Sequence, residues 1–233
     1  MAERPVFIPQ EDGELLVATR MVTFTWHAGM AVSQKQKSIE SLHEAARTQQ
    51  GIERLLEIST KSLESLGVAL SAFNLRYEAG ANGKHYSLEG IFQSSKVFVN
   101  GGPYRDLRDK SAMEAKQDPR LKNSGHLLAF NSAGVDWPLE PRTAFYDWLY
   151  LNILTKQPDL ANQLTAIGGF TDIEFNPKKS INCQAYSAAL FVALTRRKLL
   201  AEALASRDAF IAVINRFARG ETQGESGRSK GLF

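Results

Sequence analysis

The decapeptide SLEGIFQSSK sets a carboxylate, an aromatic ring, an amide and an amine at i, i+3, i+4 and i+7, as Glu89, Phe92, Gln93 and Lys96. On a helix this spacing gathers all four on one face. A carboxylate, an amide and an amine in a row can grip a polyhydroxyl ligand and exchange protons with it. A desolvated, neutral lysine amine adds a second chemistry, because it attacks carbonyl-like carbons. From spacing alone the plainer reading is the commoner one: a solvated outer face of an amphipathic helix with a loose Glu–Lys relationship.

The elements that must position this face follow from periodicity and punctuation. The key helix is expected from Ser87 through Phe98, stopping at Asn100-Gly101-Gly102-Pro103. Upstream, Leu15 to Trp26 alternates, with Val22, Phe24 and Trp26 on one side, as a strand does. A polar connection, SQKQK, then leads to a helix capped by Ser38 or Ser41. The stretch IERLLEISTKSLESL reads as helical and ends at Gly67, VALSAFNLRY as extended, and GANGK as a turn. Downstream, Ser111 and Glu114 have capping-box spacing over SAMEAK. Glu140 to Lys156 reads as a helix ended by Pro158, and FTDIEF as a short strand. Cys183 to about Ser206 is Ala/Leu-rich and is expected to be the main buried helix, with another from Asp208 to Ala218. The tail, residues 220–233, has little to bury and is expected to be disordered.

The decapeptide resembles the S-x-E-H-x-F-Q-x-x-K motif of the NADAR (YbiA-like) family. Ser87, Glu89, Phe92, Gln93 and Lys96 match without insertion, and Gly90 stands where the family usually has histidine. Ser71-Ala72-Phe73-Asn74 is similar to the family's S-N-F segment, and Tyr86 is the aromatic that follows before the helix. Ser111 to Lys116 resembles its S-P-x-E-A-K, Pro158 to Thr165 its N-P-x-L-x-x-x-L-x-x-T, and Ile173-Glu174 its V-E. The family's closing W-G-x-G is absent, replaced by Asn176 to Gln184, and the first seventy residues match nothing in the core family. The resemblance implies an α+β single domain, predominantly helical with a few short strands. It divides the chain into an N-terminal extension at 1–70, a strand plus helices packed on the core, then the core at 71–219 and the tail at 220–233. It further implies a ribosyl N-glycosidase with no cofactor and no metal. Its substrates would be ADP-ribose on a nucleobase such as guanine, possible in a nucleic-acid carrier, or ribosylaminopyrimidines, in a setting of defence against toxins or phage. By that resemblance Lys96 would attack the anomeric carbon, Glu89 would move protons, and Gln93 would position hydroxyls, with Phe92, Tyr86 and Asn74 beside the substrate. The alternative is a non-catalytic binder of ADP-ribose, NAD-derived nucleotides or nucleic acid.

Other residues extend the candidate set. Gly101 to Asp106 offers backbone amides and Arg105 for a phosphate, against the plainer reading of a turn that ends a helix. Trp137, Tyr146 and Trp148 offer rings for stacking on a base, against a place in the core. Lys178, Lys179, Asn182 and Gln184 occupy the family's substrate-facing loop, against a solvated loop. The histidines at 27, 43, 85 and 126 show no metal-ligand spacing, and no G-x-G-x-x-G or Walker loop is present. No apolar run approaches the ~20 residues that cross a bilayer. A net charge of +3 does not by itself imply nucleic-acid binding. The lone Cys183 and the absence of a signal-like N-terminus fit a cytoplasmic protein with no membrane partner.

Overall fold

Alternation from Val22 to Phe24 marks an edge strand of the main sheet. A computed structural model describes residues 1–79, 83–178 and 180–217. Ala2–Pro9 (β1) and Val17–Phe24 (β2) pair antiparallel, from Ala2↔Phe24 to Pro9↔Val17. Val22 and Phe24 are buried and Thr23 is exposed, as the alternation demands. Val32–Gln50 (α1) starts earlier than expected and takes SQKQK into its exposed side. Gln and Lys are good helix formers, and no side chain caps this helix. Ser38 is buried inside it, its Oγ accepting from the His27 N–H at 2.9 Å.

The expected helix over IERLLEISTKSLESL is instead Leu55–Glu57 (β3) followed by Ser65–Ala69 (α2). Leu55, Leu56 and Ile58 are all buried, and a strand covered on both faces shows a continuous apolar run that periodicity cannot tell from a helix. Gly67 lies within α2 and is no left-handed stop. A Cβ there would stand 1.9 Å from the Glu57 carbonyl oxygen, so it is the close approach of two backbones that requires glycine. Of VALSAFNLRY only Arg76–Ala79 (β4) begins a strand, pairing with Lys84–Ser87 (β5). The turn expected at GANGK falls largely outside the described residues.

Leu88–Ser94 (α3) is capped by Ser87, whose Oγ accepts from the Gly90 N–H at 3.0 Å. This helix is shorter than expected. Ser94 and Ser95 both turn their hydroxyls back to the Ile91 carbonyl, at 2.9 and 2.8 Å, and the chain leaves the helix there. Lys96–Phe98 (β6) then begins a strand, so Lys96 is not on the helical face that carries Glu89 and Gln93. After a 3-10 turn, Arg105–Asp109, come Ala112–Gln117 (α4), with the expected capping box of Ser111 and Glu114, and Arg120–Asn123 (α5). Leu127–Ser132 (β7) and Val135–Trp137 (β8) complete an antiparallel sheet in the order β6-β7-β8, with Lys96 opposite Phe130.

Ala144–Thr155 (α6) carries the expected apolar residues, but Pro158 opens a further helix, Pro158–Leu164 (α7), at a position where its missing N–H costs nothing. Gly169–Thr171 (β9) is the strand within FTDIEF, and Asp172 begins a turn. The helix expected from Cys183 to Ser206 divides into Gln184–Arg196 (α8) and Leu200–Leu204 (α9), with Lys198 at a φ of 58° between them. Arg207–Phe217 (α10) follows, and the expected disordered tail lies outside the described residues. Residues 1–70 supply three strands of the sheet β2-β1-β9-β3, in which β9 runs antiparallel to β1 and parallel to β3. Helices and strands are thus mixed along the chain in an α+β arrangement, with more helix than strand. At its centre α8 is buried on nearly all sides, from Ala185 through Leu194, and packs against α6, β1 and β9.

Candidate active site

Three chain segments meet at the start of α3. The Leu88 and Glu89 N–H groups donate to the Leu75 and Ala72 carbonyls, at 2.9 and 3.0 Å, which fastens the loop Ser71 to Leu75 to the helix. Gln184 at the start of α8 fastens the same loop from the other side. Its Oε1 accepts from the Ala72 N–H at 2.7 Å, while its Nε2 donates to the Ile58 carbonyl at 2.6 Å and to Asp172 Oδ2 at 3.1 Å. Between these segments lies a cavity of about 340 Å³. Glu89, Phe92 and Gln93 come to it from α3, Lys96 from β6, Lys116 from α4 and Tyr146 from α6. Asp172, Glu174 and Phe175 reach it from the turn after β9, and Ser180, Ile181, Asn182 and Gln184 close it where W-G-x-G is missing. At Gly90 a Cβ would lie 3.0 Å from the capping Ser87 Oγ and at ordinary contact distance, 3.5 Å, from the Arg108 backbone.

Charge in this cavity is concentrated and poorly solvated. Glu89 is 6% exposed, accepts from Gln93 Nε2 at 2.8 Å and has Lys116 Nζ at 3.8 Å. Lys96 is half-buried, with Nζ 5.1 Å from the centre of the Phe92 ring. Burial holds the Lys96 amine below its ordinary value of 10.5; Glu89 pulls it back up and Lys116 pushes it further down. The ring also favours the ammonium, by about 0.5–2 kcal/mol, while burial outweighs the pull of Glu89. Asp172 is pushed up to about 8, first by burial and then by the neighbouring Glu57 carboxylate. Its Oδ1 accepts from the Glu174 and Phe175 N–H groups, at 3.0 and 3.2 Å. Glu57, equally enclosed, is also raised by burial. The buried Tyr146 phenol is pushed far above 10, again by burial, and stays neutral. The cavity therefore combines a lysine displaced towards its neutral form with a carboxyl displaced towards its protonated form, the reverse of their behaviour in water.

Of the residues singled out in the sequence, Glu89, Phe92, Gln93, Lys96, Tyr146, Asn182 and Gln184 line this cavity. The others are placed elsewhere. Asn74 is exposed and donates to the Val68 carbonyl at 3.0 Å. Tyr86 lies between Lys84 and Arg108, each a little over 5 Å from its ring. Arg105 is held by the carbonyl and side chain of Asn131, so a phosphate would have to displace a bond of 2.7 Å. Trp137 is 1% exposed and packs on Trp148, Phe145 and Phe210. Lys178 is exposed in the turn after Pro177 and lines no part of the cavity, and Lys179 lies outside the described residues. Phe92 stacks into Phe130, Phe145 and Tyr146 and forms a wall as much as a contact.

Two residues were missed. Lys116 sits in the segment similar to S-P-x-E-A-K, and that motif was its only signal. Asp172 gave no local signal beyond an acid inside a short apolar strand bounded by glycines. Among the described residues no cluster could hold a metal ion, and no helix is long and apolar enough to cross a membrane. A family model, the DarT1-associated NADAR antitoxins, matches residues 2–224. No curated protein matches the chain.

Proposed function

Since the chain belongs to the DarT1-associated NADAR antitoxin family, we propose that it hydrolyses a ribose–nitrogen bond and removes ADP-ribose from a modified nucleobase. The observation that carries this reading is the lysine of the cavity. Burial favours its neutral form, and Glu89 and Asp172 line the same cavity.

In this reading the neutral Lys96 amine attacks C1 of the closed ribose ring. The C1–nitrogen bond breaks, and the departing base nitrogen takes the Asp172 proton. The resulting carboxylate keeps its bonds from the Glu174 and Phe175 N–H groups and from Gln184. The ring C1–O bond then opens, the amine gives up its two protons, one of them to the freed ring oxygen, and an imine is left between Lys96 and C1. Water then adds to C1, with Glu89 moving the proton, and expels Lys96. The net reaction consumes one water and yields free ADP-ribose and the unmodified base.

The test is turnover of a guanine-ADP-ribosylated oligonucleotide, followed by release of ADP-ribose. Wild type and Lys116→Arg release it, whereas Lys96→Arg does not, because a guanidinium stays protonated and forms no imine. Normal turnover by Lys96→Arg would overturn the mechanism. Tight binding of ADP-ribose with no release from any substrate would favour a non-catalytic binder.

A further inference from the structure

Gln93 holds an acceptor that nothing among the described residues satisfies. The residue is 5% exposed and forms part of the cavity wall. Its Nε2 donates to Glu89 Oε1 at 2.8 Å, while its Oε1 is buried with no hydrogen-bond partner among the described residues. The amide cannot simply be turned over. A flip would place the carbonyl oxygen against the Glu89 carboxylate, two acceptors face to face. Glu89 thus fixes which end of Gln93 is left for something else. A buried acceptor without a partner carries its full desolvation cost, and such groups in folded proteins are normally met by a donor. Neither lysine of the cavity supplies that donor.

The chemistry of the missing partner is constrained by its neighbours. Gln93 lies between Glu89, one turn back on α3, and Lys96, at the start of β6. Oε1 accepts only, so the partner must be an O–H or N–H, and phosphate oxygens are excluded. With C1 of a ribose at Lys96, the nearest donor on the sugar is the hydroxyl on the adjoining carbon. We propose that Gln93 Oε1 accepts the ribose 2-hydroxyl and so makes the cavity selective for ribose over 2-deoxyribose. This rests on the ribosyl N-glycosidase reading above and deepens it. The consequence is selectivity at the sugar: a deoxyribose–base bond brings no donor to Gln93 and would leave it buried and unpaired. Sites built to bond a substrate hydroxyl reject analogues that lack it far more strongly than apolar pockets reject a missing methylene.

The experiment uses the full chain and three ligands: ADP-ribose, and the analogues whose terminal ribose lacks the 2-hydroxyl or the 3-hydroxyl. Calorimetric affinities for wild type should fall by about tenfold or more on loss of the 2-hydroxyl, and less on loss of the 3-hydroxyl. Gln93→Met, similar in length but without the strong acceptor, should bind ADP-ribose and the 2-deoxy analogue alike. Equal wild-type affinity for those two ligands, a larger loss for the 3-deoxy analogue, or discrimination that survives in Gln93→Met would each overturn the assignment. The first two outcomes need no variant to fold. Binding of none of the three would remove the ribosyl reading together with the inference, whereas binding without discrimination removes the inference alone.

Discussion

Lys96 and Asp172 define the account at the scale of single residues, because burial moves both away from the charge they carry in water. The mechanism needs Asp172 protonated, so kcat/KM should fall as pH rises through about 8. It also needs Lys96 neutral, so kcat/KM should fall again on the acid side, giving a bell. Asp172→Asn should remove the basic limb and lower the rate roughly 10²–10⁴-fold. A rate that is flat from pH 7 to pH 10 in the wild type would remove Asp172 from the reaction. Glu89→Gln should slow turnover and spare most of the binding, since shape and most hydrogen bonds remain. Much of this site was legible in one decapeptide, because Glu89, Phe92 and Gln93 are local to one helix. Lys96 was found for a partly mistaken reason, as it reaches the cavity from β6 and not along that helix. Asp172 and Lys116 enter through contacts made far along the chain, which spacing does not encode.

At the scale of elements, periodicity succeeded where one face is wet and failed where both are dry. The strand at Val22 to Phe24 and the capped helix at Ser111 were legible from alternation and from capping residues. β3 was not, since Leu55, Leu56 and Glu57 are all buried and leave no alternation to read. The contact between β3 and α2 gives one prediction. Gly67→Ala should destabilise by about 1–3 kcal/mol, because its Cβ would meet the Glu57 backbone oxygen, which cannot rotate away. A melting temperature equal to wild type would show that α2 packs less closely than described. The α6–α8 contact gives another. Asp147 is buried, accepts from Ser187 Oγ at 2.6 Å, and is pushed by burial from 3.8 to about 7. A raised carboxyl favours the fold below its unfolded value and loses that contribution as pH rises through its folded one. Stability should therefore decline between pH 4 and about 7, by a few kcal/mol as an order of magnitude. Asp147→Asn keeps an acceptor for Ser187 and should flatten that decline. An unchanged pH profile in the variant would place the titration elsewhere.

Over the whole molecule, the sheet joins residues 1–70 to residues of the core at 71–219. β1 and β3 flank β9, with Phe7 opposite Phe170 and Leu56 opposite the same residue on its other side. Because β9 leads directly into the turn of Asp172, the first seventy residues hold one wall of the cavity in place. A chain of residues 71–219 alone should accordingly lack cooperative thermal unfolding, and a sharp melt would show that the N-terminal strands are dispensable. The measurement that bears most directly on the central claim weighs the intact chain. Wild type, Lys96→Arg and Lys116→Arg are each incubated with ADP-ribosylated substrate, reduced with borohydride and examined by mass spectrometry with peptide mapping. The account predicts one ADP-ribosyl adduct on the peptide holding Lys96 in wild type and Lys116→Arg, and none in Lys96→Arg. An adduct that maps to Lys116, or one that persists in Lys96→Arg, would contradict it.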